Sequence, residues 1–164
     1  MTIKVGADHR RVVLGHGISH SLIKALKRVP GFDLLDEADL VEIAGASVNL
    51  VWREGSCIFE KGFPGEALYI VLSGAVRIYD VVDGRDVEIA RTGAGDFFGE
   101  HSLLLETTHT KNVQAVEDTE LLVLSKQSFA RLLASNPKLE QHIHRTLEAR
   151  RSEAAEKYQT TAPS

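Results

Sequence analysis

The chain has 164 residues, of which 43% are hydrophobic and 26% are charged, and its formal net charge is −4 at pH 7. This composition is typical of a globular domain, and the acidic balance argues against DNA binding by this chain alone. No apolar run approaches the roughly 20 residues of a membrane helix. The single cysteine, Cys57, excludes an intrachain disulfide. We therefore expect a cytoplasmic chain without a membrane partner, in which Cys57 is a buried thiol.

The first third of the chain predicts short helices. Residues 1–18 show no regular pattern and are expected to form an N-terminal extension. Apolar residues then recur at helical spacing until Pro30-Gly31 ends the pattern. Asp36 is a suitable N-cap for a second short helix. The helices are thus expected to lie within residues 19–45.

From residue 48 to residue 125 the hydrophobic period changes to two. The segments are short and rich in Val, Ile and aromatic residues, as in the runs VNLVWR, SCIFE, ALYIVLSG, AVRIYDVV, DVEIAR and DTELLVLS. Turn sequences such as Asp83-Gly84 separate them. This pattern predicts a mainly β fold, an antiparallel and jelly-roll-like β-roll of about eight strands with helices at both ends.

Helical spacing returns in residues 126–156, which predict a C-terminal helical hairpin that begins at the N-cap Ser125. Residues 157–164 are expected to form a frayed tail. An apolar stripe at four-residue spacing, Leu139, Ile143 and Leu147, is first of all a core-facing stripe. A dimer seam that continues to Ala154 and Tyr158 is the alternative.

The segment GDFFGEHSLLLETTHTKNVQA, residues 95–115, begins like an anion-binding loop. Gly99 leads into a short helix-like run, and backbone N–H groups at the start of a helix suit a phosphate. The segment contains no arginine, so His101, His109 and Lys111 are its only cationic candidates.

About residues 30–150 resemble the cyclic nucleotide-binding domain family, in particular the effector domain of catabolite activator proteins and kinase regulatory subunits. The resemblance depends on three segments, REGSCIFEKGFPGEALYIVLSGAVRIY, GAGDFFGEHSLL and VQAVEDTELLVLSKQSFARLL. It implies that Gly99 and the helix-start N–H groups contact a cyclic phosphate and that Glu100 accepts a hydrogen bond from the ribose 2′-hydroxyl. The ligand-binding residues that it implies are Phe98, Gly99, Glu100, His101, Ser102, Leu103, His109 and Thr110.

The family's phosphate-binding arginine falls on His109, with Thr110 in the small or hydroxyl position after it. Arginine offers a bidentate fork that histidine does not reproduce, so we expect weak binding of cyclic AMP or cyclic GMP. With an ordinary histidine pKa near 6.5, that binding would depend on pH around neutrality. Lys111 is expected to be solvated. Removal of Glu100 is expected to abolish most binding with little effect on stability.

The leading hypothesis is a regulatory sensor that moves its C-terminal helices over the pocket and passes the change to a downstream protein or a homodimer mate. The alternative is an interaction module that kept the fold without the ligand. We expect no enzymatic activity and no cofactor, and a metal enzyme of the cupin type is disfavoured because a His-x-His pair is missing before PGEALYIVLSGAVRI. His16 and His20 are spaced for a metal, but Gly15 and Gly17 argue against a helix there, so no metal site is expected.

Overall fold

The computed structural model describes residues 10–12 and 20–161 of the chain. Its helices are α1 (His20–Lys27), α2 (Glu37–Ala46), α3 (Glu100–Leu104), α4 (Lys126–Ser135) and α5 (Pro137–Thr161), with a 3₁₀ turn at Phe32–Leu34. Its strands are β1 (Arg10–Val12), β2 (Val48–Trp52), β3 (Cys57–Phe59), β4 (Ala67–Ser73), β5 (Ala75–Val82), β6 (Arg85–Gly93), β7 (Phe97–Phe98), β8 (Asn112–Ala115) and β9 (Thr119–Ser125). The predicted fold class, a β-roll with helices at both ends, is confirmed.

The helix boundaries follow local sequence chemistry. Asp36 caps α2 by accepting a hydrogen bond from the backbone N–H of Asp39 at 2.8 Å, and Ser125 caps α4 through the N–H of Ser128 at 3.1 Å. Pro137 occupies the first position of α5, where the missing N–H costs nothing. Both predicted caps are therefore confirmed.

The strands form two antiparallel sheets. One has the order β1-β2-β9-β4-β7 and the other has the order β3-β8-β5-β6. A two-residue turn joins β5 to β6 through Asp83 and Gly84, which have φ values of 53° and 76°. Positive φ at both central residues suits the right-handed twist of a hairpin. This turn sets the pairing of β5 with β6 as far as Tyr79 and Glu88, where the register shifts, and both strands line the cavity described below.

Two apolar cores hold these layers together, and β4 contributes to both. Leu68 and Ile70 pack with the helices, whereas Tyr69 and Val71 pack between the sheets. Alternation along one strand therefore places one face against the helices and the other inside the roll. Phe97 and Phe98 on β7 divide in the same way, which fixes the backbone immediately before Gly99.

The C-terminal helices differ from the sequence prediction in length and in exposure. Helix α5 continues to Thr161, so the expected tail over residues 157–164 is wrong up to that residue. The stripe Leu139, Ile143 and Leu147 is at most 2% exposed within the single chain. A dimer seam built on these three residues therefore loses its basis, and the core-facing interpretation is confirmed.

Other expectations from the sequence are corrected or limited by the structure. Cys57 is exposed, because it begins the short edge strand β3, whose register with β8 shifts at Phe59. Strand β1, within the stretch expected to lack pattern, pairs with β2. His16 and His20, for which no metal site was expected, lie outside the described side chains. Over the described residues, none of the helices is both long and apolar enough to cross a bilayer.

Candidate ligand-binding site

A cavity of about 690 Å³ opens between the four-stranded sheet, α3 and α5. Its floor includes apolar side chains of β5, β6 and β8, namely Ile78, Ile89 and Val113. One wall is the turn of α3, and α5 runs along the opposite side as a cover. A concave, mostly apolar site of this volume with a few polar groups is typical of a small-molecule pocket.

Close packing fixes the start of α3. Gly99 has φ of 91°, and a Cβ at this position would lie 3.0 Å from the Tyr69 ring and 3.2 Å from the carbonyl oxygen of Ala67. A side chain there would be strained in conformation and crowded in space. Phe98 stacks on Tyr69 with ring centroids 5.1 Å apart. Glycine is therefore required here, and the first backbone N–H groups of α3 are held at the cavity.

Glu100 is the buried carboxylate of the site. It is 4% exposed, and its Oε1 accepts a hydrogen bond from Nη1 of Arg150 at 2.8 Å. Arg150 also donates to Asp96 Oδ1 at 3.1 Å, and its guanidinium lies 4.9 Å from the centroid of the Phe97 ring. A buried carboxylate needs such a partner to offset its lost hydration. Through this ion pair α5 is tied directly to the start of α3.

His109 lies deeper than a surface loop residue. It is 6% exposed and stacks on Phe59 with centroids 3.6 Å apart and planes inclined by 8°. Burial, with a smaller contribution from nearby His101, lowers the pKa of His109 to about 4. The expectation of an ordinary pKa near 6.5 is therefore wrong, and the imidazole is neutral at pH 7.

We expect His109 to make the fold sensitive to acid. Its folded pKa lies below its unfolded value of about 6.5, so the unfolded chain takes up the proton first as the pH falls. The contribution of the neutral imidazole is full above pH 6.5 and is lost between about pH 6.5 and pH 4, by roughly 3 kcal/mol. Urea unfolding at pH 7.5 and pH 4.5 measures this loss. His109→Phe, which keeps an aromatic ring on Phe59, should lose less stability, and equal losses in both proteins would contradict the assignment.

Tyr158, which lines the cavity, is hydrogen-bonded to Asp80, a carboxylate that is 4% exposed and lies outside the cavity lining. This carboxylate accepts hydrogen bonds from Lys61 Nζ at 3.2 and 3.3 Å, from the N–H of Val81 at 2.8 Å and from the Tyr158 hydroxyl. These donors lower the pKa of Asp80 against the opposing effect of burial. Lys111 Nζ lies 5.1 Å from the centroid of the Tyr158 ring. Lys111 is half-buried at the cavity, so the expectation of a solvated side chain is wrong.

The structure brings most of the predicted site residues together. Those that line the cavity are Phe98, Gly99, Glu100, His101, Ser102, His109 and Thr110. The side chain of Leu103 packs in the core with the helices instead, which leaves only its backbone N–H for the predicted role. The Nδ1 atom of His101 is buried and has no hydrogen-bond partner among the described residues. Burial, together with the charges of Lys111 and Arg151, lowers the pKa of His101.

Sequence reasoning predicted that the C-terminal helices move over the pocket, but it missed the α5 side chains that take part in the site. Arg150 and Tyr158 lie 50 and 78 positions from their partners Glu100 and Asp80, so no local motif joins them. A usable pattern was nevertheless present. Arg150, Ala154 and Tyr158 continue the helical face of Leu147 at spacings of three, four and four residues.

Comparison with known proteins gives a consistent result. The cyclic nucleotide-binding domain model matches residues 50–136. The chain is 37% identical over 105 residues to the cyclic AMP receptor protein of Thermus thermophilus, across 63% of this chain and 49% of that one. It is 30% identical over 128 residues to the cAMP-dependent protein kinase regulatory subunit of Schizosaccharomyces pombe, across 77% of this chain and 30% of that one.

The fold comparison agrees with the sequence comparison. The crystal structure of the Thermus thermophilus catabolite activator protein superposes with a TM-score of 0.70 at 32% identity, covering 80% of this chain and 62% of the other. The matched part of this chain spans about half the length of the Thermus thermophilus receptor and about a third of the length of the Schizosaccharomyces pombe subunit. The first relative is named a receptor protein and the second a regulatory subunit. From the sheet order, the glycine-led turn of α3 and these matches together, the chain belongs to the cyclic nucleotide-binding domain family.

Proposed function

We propose that this chain is a regulatory sensor domain that binds a cyclic nucleotide, cyclic AMP or cyclic GMP, in the cavity between α3 and α5. Binding is passed to α5 and from there to a downstream protein. The observation that supports this most strongly is the ion pair of Glu100 with Arg150, because it joins the carboxylate assigned to the ribose to the helix assigned to the response.

The cavity offers a place for each part of such a ligand. The Glu100 carboxylate is an acceptor only, and Arg150 occupies its Oε1, so a ribose 2′-hydroxyl has the remaining acceptor positions as its target. The unsatisfied N–H groups of the first turn of α3 suit the cyclic phosphate. Thr110, half-buried beside them, supplies a hydroxyl.

The lack of a charged side chain at position 109 favours weak binding of the phosphate. His109 is neutral at pH 7 and supplies at most one neutral hydrogen bond. The nearest arginine to Glu100, Arg150, already serves two carboxylates. An anion placed here therefore gains less than at an arginine fork, and affinity is expected to be modest.

Transmission through α5 depends on what the ligand does to Arg150. A phosphate or ribose beside Glu100 changes the balance of charges that holds this guanidinium. The helix is also held by the Tyr158–Asp80 hydrogen bond, eight residues further along. A ligand between these two contacts therefore acts on the position of α5. The role is regulatory rather than enzymatic, and we place it in the cytoplasm.

The Arg150→Gln variant tests this connection. Hydrogen exchange of residues 146–158 is measured with and without saturating cyclic nucleotide, as judged by calorimetry. In the parent protein the ligand should change exchange by roughly tenfold, the size of one charge-assisted hydrogen bond. Arg150→Gln should bind the ligand yet show a much smaller response, whereas Arg145→Gln, an exposed arginine on the same helix, should respond like the parent.

Two results would contradict the proposal. An unchanged exchange pattern in ligand-bound parent protein would remove the role of α5. Absence of binding to both cyclic nucleotides at millimolar concentration would favour the alternative hypothesis of an interaction module. The observation that supports this alternative is His109, which stands where the family has its phosphate-binding arginine.

A further inference from the structure

The far end of the cavity carries an unusual distribution of donors and acceptors. Arg150 and Tyr158 are eight residues apart on α5, which corresponds to about 12 Å along the helix. We consider a nucleotide with its ribose at Glu100 and its base placed toward Tyr158, at the end of the cavity that Lys111 lines. The cavity-lining groups that meet the base in this placement are Lys111 and Tyr158, and the Tyr158 hydroxyl is bonded to Asp80.

The acceptor group nearest to Tyr158, the Asp80 carboxylate, already accepts hydrogen bonds from the protein. Asp80 is the buried carboxylate, and its two oxygens receive Lys61, the N–H of Val81 and the hydroxyl of Tyr158. An exocyclic amino group of a base would have to displace one of these donors. Such an amino group is the feature that distinguishes adenine at its 6-position.

The donor, in contrast, faces the cavity. Lys111 lines the cavity from the start of β8, and the ion pair with Asp80 is made by Lys61 instead. The ammonium of Lys111 lies over the Tyr158 ring and 3.4 Å from Thr110 Oγ1. An ammonium has three donor hydrogens and no acceptor, so it suits a base edge made of acceptors.

Guanine and hypoxanthine present such an edge, since O6 and N7 are both acceptors, whereas adenine presents N7 beside an amino donor. We infer that Lys111 makes this site select 6-oxopurine cyclic nucleotides over adenine cyclic nucleotides. The inference rests on the proposed function, because it assigns the base that the same cavity binds. Burial lowers the pKa of Lys111 because the half-buried ammonium loses hydration, and acceptors on a bound base would offset part of that loss.

Calorimetric titration of the full 164-residue chain with cyclic GMP, cyclic IMP and cyclic AMP tests the assignment. The parent protein should bind both 6-oxopurine ligands roughly tenfold or more tightly than cyclic AMP, which is the size of one good base contact. Cyclic IMP is the informative ligand, because it has the 6-oxo group of guanine without its 2-amino group and so separates a contact with O6 from a contact with the amino group.

Three variants complete the test. Lys111→Met should bring the ratio of the three affinities close to one while cyclic AMP binding changes by no more than a few fold. Lys111→Arg, which can donate to O6 and N7, should keep the preference. Lys138→Met, an exposed lysine at the start of α5, is the matched control and should behave as the parent.

The outcomes separate the two proposals. The assignment to Lys111 is overturned if cyclic AMP binds most tightly. It is also overturned if cyclic GMP binds tightly while cyclic IMP binds as weakly as cyclic AMP. Either result leaves the sensor function standing. A preference that survives in Lys111→Met also overturns it. Binding of none of the three ligands overturns the proposed function and this inference together.

Discussion

His109→Arg is expected to strengthen cyclic nucleotide binding by roughly tenfold to hundredfold. In the parent protein the imidazole at this position is buried, stacked on Phe59 and neutral, so His109 itself offers the phosphate no full positive charge. A guanidinium supplies a permanent charge and two parallel N–H donors. Charge-assisted hydrogen bonds of about 1.5–3 kcal/mol correspond to that range of affinity. Calorimetry on both proteins at pH 7.5 measures it.

The fork, and not the charge alone, should be responsible for the gain. His109→Lys introduces a point charge without a planar fork, so it should improve binding less than arginine does. Both variants lose the stacked imidazole, and each is expected to be somewhat less stable than the parent. Equal or weaker binding by His109→Arg, in a protein shown to be folded, would mean that position 109 does not face the phosphate.

The pH dependence of parent binding is expected to lie lower than the sequence alone suggested. A bound anion raises the pKa of His109, but from about 4 rather than from about 6.5. Affinity should therefore be nearly flat between pH 6.5 and pH 8. It should rise only as the pH falls through the bound-state pKa, and the rise should be complete below about pH 4, the free-state pKa.

Glu100→Gln is expected to weaken cyclic nucleotide binding by roughly tenfold or more and to lower the free energy of unfolding by about 1–3 kcal/mol. The first effect follows from the loss of the carboxylate charge and of one of its two acceptor oxygens, because the glutamine amide keeps only a single carbonyl acceptor. The second follows from the ion pair with Arg150, in which Glu100 is almost fully buried and Arg150 is about a quarter exposed. Calorimetry and urea unfolding measure the two effects separately.

The stability effect corrects the expectation that Glu100 can be removed at little cost. Asp96→Asn provides the matched control, since Asp96 also binds Arg150 but is 41% exposed. It should destabilise the protein much less, because water screens and replaces an exposed partner. Wild-type affinity in Glu100→Gln would exclude the ribose role, and wild-type stability would mean that the buried ion pair contributes nothing net.

The β-roll was predictable because its pattern is local. The hydrophobic period changes at Val48 and again after Ser125, and side-chain alternation along β4 follows directly from the order of its residues. Asp36 and Ser125 act as caps through groups three residues away. Such short-range chemistry leaves its record in the sequence itself.

The site was predictable only in part, for the opposite reason. The position of Gly99 and Glu100 at one turn follows from a continuous motif, but the partner of Glu100 lies on another helix. The low pKa of His109 depends on Phe59, which a distant strand brings beneath it. Composition and residue spacing do not show how deeply a particular side chain is buried. The charge state of His109 and the half-buried position of Lys111 could therefore be recognised only from the folded structure.

The most direct test of the central claim is a calorimetric titration of the unmodified chain with cyclic GMP and cyclic AMP at pH 7.5, with hydrogen exchange of α5 measured at saturation. We expect saturable one-to-one binding to at least one ligand at micromolar to submillimolar concentration, within the range of modest affinities, and altered exchange around Arg150. Absence of heat for both ligands at millimolar concentration, from a folded protein, would contradict the account.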